Sequence, residues 1–268
     1  MAETLHSLLF NNVSWSPDGS SLLADLSFAV RQGELVIILG PNGAGKSSLM
    51  KLACGLEQPR SGQVMLSDKP LVDYGHQHRA KCLGYLPQSR ELAWPNMVED
   101  VVALGRYAHG GGMGMLGPQD RALVERAMRA CSVAHLRHRS MVTLSGGEQT
   151  RVHCARLFAG QTPLFLADEP ITALDPQHQH SIMQLIKAYV TDGNGALVVL
   201  HDLEIAARYA DRLIWMMDGR IVADGTVAQT FKRETIAKVF AMDSHIDLSA
   251  TSPRVHLMTL PDDPSERG

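Results

Sequence analysis

The chain has 268 residues, with 25 Lys and Arg against 28 Asp and Glu, and 45% of its residues are hydrophobic and 5% aromatic. This length suits one large domain or a domain with an inserted lobe, and the hydrophobic fraction excludes global disorder. The net charge of −3 and the few aromatic residues disfavour a general nucleic-acid binder. The longest apolar runs have five residues, well short of the roughly 20 that a membrane-spanning helix needs.

The first third of the sequence predicts strands joined by tight turns. Apolar-rich residues 22–30 and 34–39 flank a turn at residues 31–33, and the second of them ends at a glycine. A short helix is predicted for residues 46–54, with Gly55 suited to its C-terminal cap. Two further strands are predicted near residues 63–66 and 82–86.

Helical periodicity replaces the strand pattern from about residue 89 to residue 143. Val124, Ala127, Met128 and Cys131 recur at helical spacing, and the Gly and Pro residues of 110–118 divide this stretch into at least two helices. After residue 160 strand and helix patterns alternate again. The predicted elements there are strands at 164–167 and 196–200 and helices at 176–190 and from residue 203.

Strand–helix alternation predicts an α/β fold with a mostly parallel sheet and helices on both faces. An antiparallel β part is expected at the N-terminus, and the central helical stretch reads as an inserted lobe at about residues 89–160. We predict one domain over residues 1–260. The polar, proline-containing residues 261–268 are predicted to be a disordered tail.

Residues 40–47, G-P-N-G-A-G-K-S, match the phosphate-binding pattern G-x-x-x-x-G-K-[ST] between a predicted strand and a predicted helix. The glycines let backbone N–H groups turn toward phosphate oxygens, and the helix adds its positive N-terminal end. Lys46 would contact the β- and γ-phosphates and Ser47 would offer its hydroxyl to Mg²⁺. The competing interpretation is a Gly-rich turn with an exposed lysine. The motif and its position between strand and helix predict a fold of the P-loop NTPase type. Its predicted phosphate-binding residues are Gly40, Pro41, Asn42, Gly43, Ala44, Gly45, Lys46, Ser47 and Ser48.

The strand predicted at residues 164–167 runs into two acids, Asp168 and Glu169. Ligands of doubly wound sheets bind beyond the carboxyl ends of the strands, where the phosphate loop also lies. Asp168 is then placed to hold Mg²⁺, and Glu169 could accept a proton from an attacking water. An ordinary strand-end turn before Pro170 is the alternative. Two acids beside a triphosphate would repel it without a metal, so Mg²⁺ is an expected cofactor together with ATP.

A second predicted anion site lies at residues 144–149, L-S-G-G-E-Q, at the start of a predicted helix. Ser145 is a good N-cap, and the two glycines expose backbone donors. Taken alone, these residues would be an ordinary helix start. All six match the signature of the ATP-binding cassette family. With the phosphate loop they make the chain closely resemble, over roughly residues 5–245, the ATPase subunit of an ATP-binding cassette transporter.

The resemblance extends to three loops. Gln88 matches the glutamine loop of the family, Thr172 to Asp175 match its aspartate loop, and His201 matches its switch histidine. It implies a head-to-tail homodimer with two ATP molecules, each between the phosphate loop of one subunit and the signature of the other. The implied roles are catalysis by Glu169, His201 and Gln88, metal contacts by Ser47, Gln88 and Asp168, and ATP contacts across the dimer by Ser145, Gly146, Gly147, Gln149 and Asp175.

The sequence departs from the family at the adenine. The family usually places an aromatic residue just before a glycine in an early loop, but here Asp18 precedes Gly19 and the nearest aromatic residue is Trp15. Trp15 either stacks on the base or packs against the sheet. The sequence has no N-K-x-D guanine motif, so ATP is the expected nucleotide.

Three further segments, residues 101–107, 117–121 and 208–212, resemble the importers of ferric siderophores, haem and vitamin B12. This resemblance implies a peripheral subunit at the cytoplasmic face of the inner membrane. It would power uptake through a separate polytopic permease, to which a substrate-binding protein delivers the transported molecule. No nucleic-acid partner is expected. The alternatives are the ATPase of an exporter and a soluble cassette ATPase acting on nucleic acid. Which iron chelate or cobalamin is carried stays open.

Overall fold

The computed structural model describes residues 7–17, 22–89, 96–111, 116–248 and 253–259. Strands and helices alternate along most of this length. The strands are β1 (Ser7–Trp15), β2 (Leu23–Arg31), β3 (Leu35–Leu39), β4 (Ser61–Leu66), β5 (Lys69–Pro70), β6 (Leu83–Leu86), β7 (Leu164–Asp168), β8 (Gly195–Val199), β9 (Arg212–Met217), β10 (Arg220–Gly225), β11 (Met242–Asp247) and β12 (Arg254–Thr259). The α-helices are α1 (Lys46–Ala53), α2 (His76–Cys82), α3 (Val98–Ala103), α4 (Pro118–Ala130), α5 (Gly146–Ala159), α6 (Pro176–Thr191), α7 (Leu203–Tyr209), α8 (Val227–Thr230) and α9 (Arg233–Phe240).

The central sheet has the strand order β10-β9-β3-β8-β7-β6. Its neighbours are parallel except for the antiparallel pair β9 and β10. Strands β3, β7 and β8 are buried along their whole length, as expected for parallel strands covered on both faces. The mostly parallel α/β sheet predicted from the sequence is confirmed.

Each face of the central sheet covers its own apolar core. Alternate residues of a strand point to opposite faces, so Leu35, Ile37 and Leu39 enter one core while Val36 and Ile38 enter the other. The first core is shared with helices α3 to α7. The second is shared with α1 and with the N-terminal sheet, so the second face is covered by a helix and a sheet together.

The N-terminal sheet is antiparallel, in the order β2-β1-β4-β5, which confirms the prediction of an antiparallel part. Arg212 of β9 joins this sheet to the central one. Its guanidinium forms two 2.6 Å hydrogen bonds to Asp224 of β10 and donates to the carbonyl of Ala29 of β2 at 2.9 Å. One side chain therefore links strands of both sheets.

Helices α3, α4 and α5 follow β6 and precede β7. Helices α3 and α4 lie within the stretch where helical periodicity was predicted, and α5 lies within the range predicted for the inserted lobe. Arg106, a buried residue between α3 and α4, connects α4 to the end of α5. Its Nε lies 2.7 Å from the partly exposed carboxylate of Asp120, and its Nη1 donates to the carbonyls of Ala159 and Gly160 at 3.0 Å. Gly105 lies against the end of α5, where a Cβ would come within 2.2 Å of a backbone oxygen.

The described residues include no helix that is long and apolar enough to cross a membrane. The tail predicted at residues 261–268 lies outside the described residues, and the domain boundaries stay a prediction.

Candidate functional site

The phosphate loop, residues 40–47, lies between β3 and the first turn of α1. Gly45 has φ +91°, a conformation that favours glycine, and a Cβ there would lie 2.4 Å from the side chain of Leu23. A Cβ at Gly40 would lie 2.3 Å from the carbonyl of Met216 on β9. Both glycines are therefore fixed by close packing, and the loop cannot accept side chains at these positions without rearrangement.

Lys46 folds back over this loop. Its side chain is only 6% exposed, and Nζ donates to the carbonyl oxygens of Gly40 at 2.8 Å and Pro41 at 2.9 Å. Burial lowers the pKa of Lys46, and the nearby carboxylates of Glu169 and Asp168 oppose that effect. The exposed lysine of a simple Gly-rich turn does not match this arrangement.

Asp168, the last residue of β7, is 1% exposed and faces the start of α1. Burial raises its pKa, while a hydrogen bond from Ser47 opposes the rise. Its Oδ1 has no hydrogen-bond partner among the described residues. A buried carboxylate oxygen without a partner, next to a serine hydroxyl, is a donor set that Mg²⁺ prefers, so these two residues fit a magnesium ion.

Glu169, 8% exposed, accepts hydrogen bonds from three different loops. Its Oε1 accepts from Nε2 of Gln88 at 2.8 Å and lies 2.6 Å from Nε2 of His201, and its Oε2 accepts from Oγ1 of Thr172 at 3.0 Å. Since a carboxylate oxygen can only accept, Nε2 of His201 carries the hydrogen. The glutamine loop and the switch histidine thus meet at the residue predicted to be the base.

The pKa of Glu169 is lowered even though the group is buried. Burial raises the pKa, but the hydrogen bonds from His201, Thr172 and Gln88 together outweigh it because they favour the charged form. The carboxylate is therefore ionised at neutral pH, as a proton acceptor must be.

A cavity of about 390 Å³ brings these groups together at the edge of the sheet. The phosphate loop, Gln88, Glu169 and His201 line it. So does Leu22, which the sequence did not single out. Trp15 is not among the described residues that line the cavity; it is partly buried and packs against the core under the N-terminal sheet. The described residues that line it are Leu22, Asn42, Gly43, Gly45, Lys46, Ser47, Ser48, Gln88, Glu169 and His201.

The signature segment begins α5 with a capping box. Ser145 Oγ accepts from the backbone N–H of Glu148 at 3.3 Å, and the Glu148 carboxylate accepts from the backbone N–H of Ser145 at 2.8 Å. The side chain of Gln149 donates to the carbonyls of Met141 and Leu144. These bonds hold the first turn of α5 in a fixed orientation with Gly146 exposed.

The signature segment lines a separate cavity, of about 440 Å³, with the aspartate loop. Gly147 lies close to that loop, since a Cβ there would come 3.2 Å from the carbonyl of Ala173. Gln88 and Glu169 line both cavities, but the lining of the phosphate-loop cavity includes neither Ser145 nor Gly146 among the described residues. The two elements predicted to bind anions therefore line two neighbouring cavities of one chain.

Asp175, predicted to reach a second subunit, caps α6 in this chain. Its carboxylate accepts from the backbone N–H of His178 at 2.9 Å and lies 2.7 Å from Nδ1 of the same histidine. The contact of Thr172 with Glu169 was not predicted from the sequence. Its position three residues after Glu169, with a hydroxyl side chain, was the available signal.

Known proteins with similar sequences belong to one family. Residues 23–172 match the family model described as ABC transporter. The chain is 41% identical over 229 residues to the hemin import ATP-binding protein HmuV of Pseudomonas entomophila, which spans 84% of this chain and 88% of that protein. It is 40% identical over 241 residues to the protein of the same name from Pseudomonas aeruginosa, spanning 88% and 93%.

Solved structures resemble the chain as well. A dimeric bacterial ABC transporter cassette superposes with a TM-score of 0.74 at 27% identity, covering 82% of this chain and 98% of that one. A metal-chelate type ABC transporter in an inward-facing conformation superposes with a TM-score of 0.79 at 22% identity, covering 96% and 98%. The second likeness concerns the fold alone.

Proposed function

Because this chain belongs to the ABC transporter family, as an ATPase whose hydrolysis is coupled to transport, we propose that it powers the uptake of haem through a separate membrane permease. The observation that supports haem as the transported substrate is the sequence identity of 40–41% to hemin import ATP-binding proteins along most of both chains. Ferric siderophores and cobalamin, which the sequence left open, become the comparison cargoes.

In the proposed reaction, the phosphate loop binds the triphosphate of ATP. Lys46 would exchange its two carbonyl partners for oxygens of the β- and γ-phosphates, because a charged acceptor forms the stronger hydrogen bond. Ser47 and Asp168 would hold Mg²⁺, with Gln88 contacting the metal or the attacking water. When bound, the ion neutralises charge on the phosphate oxygens.

Glu169 is the proposed general base. Its ionised carboxylate would accept the proton of the attacking water, and His201 would contact the γ-phosphate. Gln88 and His201 both bind Glu169 in the structure. Binding of ATP would therefore have to redirect both side chains from the base to the phosphate before hydrolysis can begin.

A head-to-tail homodimer is the proposed active form. The signature segment and the phosphate loop of one chain line different, neighbouring cavities, which supports an arrangement in which a second chain supplies its signature segment to the nucleotide. Ser145, Gly146, Gly147, Gln149 and Asp175 would then contact the ATP or the loops of the opposite subunit. The likeness to a dimeric cassette supports this arrangement.

The permease is proposed to contact the helical region α3 to α5, on the cytoplasmic face of the inner membrane, with a substrate-binding protein delivering the cargo. Asp100 lines a cavity of about 590 Å³ in this region. We expect Asp100→Lys to reduce transport in reconstituted vesicles more than it reduces ATPase activity of the isolated subunit. Equal loss of both activities would place the permease contact elsewhere.

Transport in vesicles tests the cargo directly. The chain would be reconstituted with the permease that co-purifies with it and with the cognate binding protein, and ATP-driven uptake of haemin, a ferric siderophore and cobalamin would be compared. We expect haemin uptake with wild type and much slower uptake with Lys46→Ala. ATP-dependent uptake of cobalamin or the siderophore instead of haemin would refute the cargo but leave the ATPase assignment intact.

A further inference from the structure

Two histidines face each other on a β-hairpin that takes no part in the nucleotide site. Strands β11 and β12 pair in an antiparallel register in which His245 lies directly opposite His256. Residues directly opposite in such a pair project from the same face of the sheet, with Cβ atoms about 4.5–5.5 Å apart. Both histidines are exposed, so this face of the hairpin is open to solvent.

The opposite face of the hairpin is anchored. Ser244 is 4% exposed, and Ile246 and Val255 pack against the first core, the one shared with helices α3 to α7. The backbone N–H of Val255 also donates to the carboxylate of Glu204 on α7 at 2.9 Å. Because the strands are fixed from below, the separation of the two histidine Cβ atoms is set by the fold and does not have to be imposed by a ligand.

Each neighbouring cross-strand pair on this face contains one aspartate. Asp243 lies opposite Met258, and Asp247 lies opposite Arg254. The carboxylate of Asp243 is held by Arg233. The two imidazoles are the candidate metal ligands at this face, and no group of three or more His, Cys, Asp or Glu side chains suited to a metal occurs among the described residues.

We propose that His245 and His256 together bind one divalent transition-metal ion of the Cu²⁺ or Zn²⁺ type, with water completing its coordination. Metal–imidazole bonds of about 2.0–2.1 Å place two ligating nitrogens roughly 3.3 Å apart in a tetrahedral site, a separation that opposed rings on Cβ atoms about 5 Å apart can reach. Imidazole ligands suit Cu²⁺ and Zn²⁺, whereas Mg²⁺ prefers oxygen ligands. The site is therefore distinct in chemistry from the one at Asp168 and Ser47.

Metal titration of the untagged, full-length chain tests the proposal. Binding of Cu²⁺ and Zn²⁺ would be measured calorimetrically in excess Mg²⁺, which saturates the carboxylate site, for wild type, His245→Asn and His256→Asn. The matched control is the double variant His76→Asn/His78→Asn. Those two histidines lie two residues apart on helix α2, where side chains do not face each other.

We expect one site in wild type, with Cu²⁺ bound more tightly than Zn²⁺. Each hairpin variant should bind at least about tenfold more weakly, since the second ligand no longer acts at high effective concentration. The control should match wild type. The electron paramagnetic resonance spectrum of the Cu²⁺ form should show two coupled nitrogens in wild type and one in either hairpin variant.

Unchanged affinity in both hairpin variants, or an equal loss in the control, would overturn the proposal. Both substitutions are at exposed positions, and circular dichroism would establish that each variant is folded. Since the hairpin lies apart from the ATP cavity, failure of this site would not affect the proposed function.

Discussion

Replacing Glu169 by Gln removes the proposed proton acceptor but keeps the shape of the side chain and its hydrogen bonds. The amide oxygen can take the place of Oε1, which faces the donors of Gln88 and His201. The amide nitrogen then occupies the place of Oε2, where the Thr172 hydroxyl can rotate to accept a hydrogen bond instead of donating one. All three contacts survive, so the variant should fold like wild type.

Loss of a general base costs about 10²- to 10⁴-fold in rate, which corresponds to roughly 2.7–5.4 kcal/mol of transition-state stabilisation. The phosphate loop, Lys46, Ser47 and Asp168 are untouched, so ATP affinity should change little. Glu169→Gln should therefore bind ATP, hydrolyse it 10²- to 10⁴-fold more slowly, and accumulate as an ATP-bound dimer.

Three measurements on the same preparations decide the matter: ATP affinity by fluorescent-nucleotide titration, turnover by phosphate release, and mass by light scattering. Asp168→Asn is the contrasting variant, because it weakens a metal ligand and should reduce both Mg²⁺-dependent ATP affinity and turnover. A Glu169→Gln chain that hydrolyses ATP like wild type would refute the role of Glu169 and make His201 the next candidate.

Three further predictions concern binding and stability. Lys46→Ala should weaken ATP binding about 10- to 150-fold, the equivalent of one hydrogen bond to a charged group; unchanged affinity in a nucleotide titration would exclude the phosphate loop as the site. Gly105→Ala should lower the free energy of unfolding in urea by about 1–3 kcal/mol, because its Cβ would overlap a carbonyl of α5. Gly75→Ala has open space around its Cβ and should lose only the smaller preference for glycine over alanine at the N-cap of α2; an equal loss in both variants would contradict the overlap. Asp120→Ala leaves the buried guanidinium of Arg106 without its carboxylate. It should lower the free energy of unfolding by roughly 2–3 kcal/mol, less than the roughly 3–5 kcal/mol of a fully buried pair, because Asp120 is partly exposed. A decrease of less than about 0.5 kcal/mol in thermal denaturation would contradict this role of the ion pair.

Much of the central sheet could be predicted because its strands are short, wholly apolar runs next to recognisable motifs. The strand before Asp168 and the strand before the phosphate loop are such runs, and both lie where they were predicted. Strand β1 was missed for a physical reason. Two irregularities interrupt its pairing with β2, and Asn12 adopts a positive φ, so the alternation of polar and apolar residues is broken.

The contacts of the candidate site could be predicted only in part. Motifs placed Gln88, Glu169 and His201 at one edge of the sheet, since each follows a strand. That Gln88 and His201 both bind the carboxylate of Glu169 depends on loop conformations that no local pattern encodes. The hairpin β11 and β12 was also missed, because its exposed face is polar and only one face packs on the core.

The linkage of the two sheets through Arg212 bears on which parts of the molecule move when nucleotide binds. The start of β2 also packs on the phosphate loop, through Leu23 against Gly45, and on the β9–β10 turn, where the backbone N–H of Ala24 donates to Gly219. Because these contacts join the N-terminal sheet to the phosphate loop, we expect the two to move together. We expect any closing motion to come from the helical region, so a crosslink between the two sheets should leave ATP hydrolysis intact while one between the helical region and the sheet should arrest it.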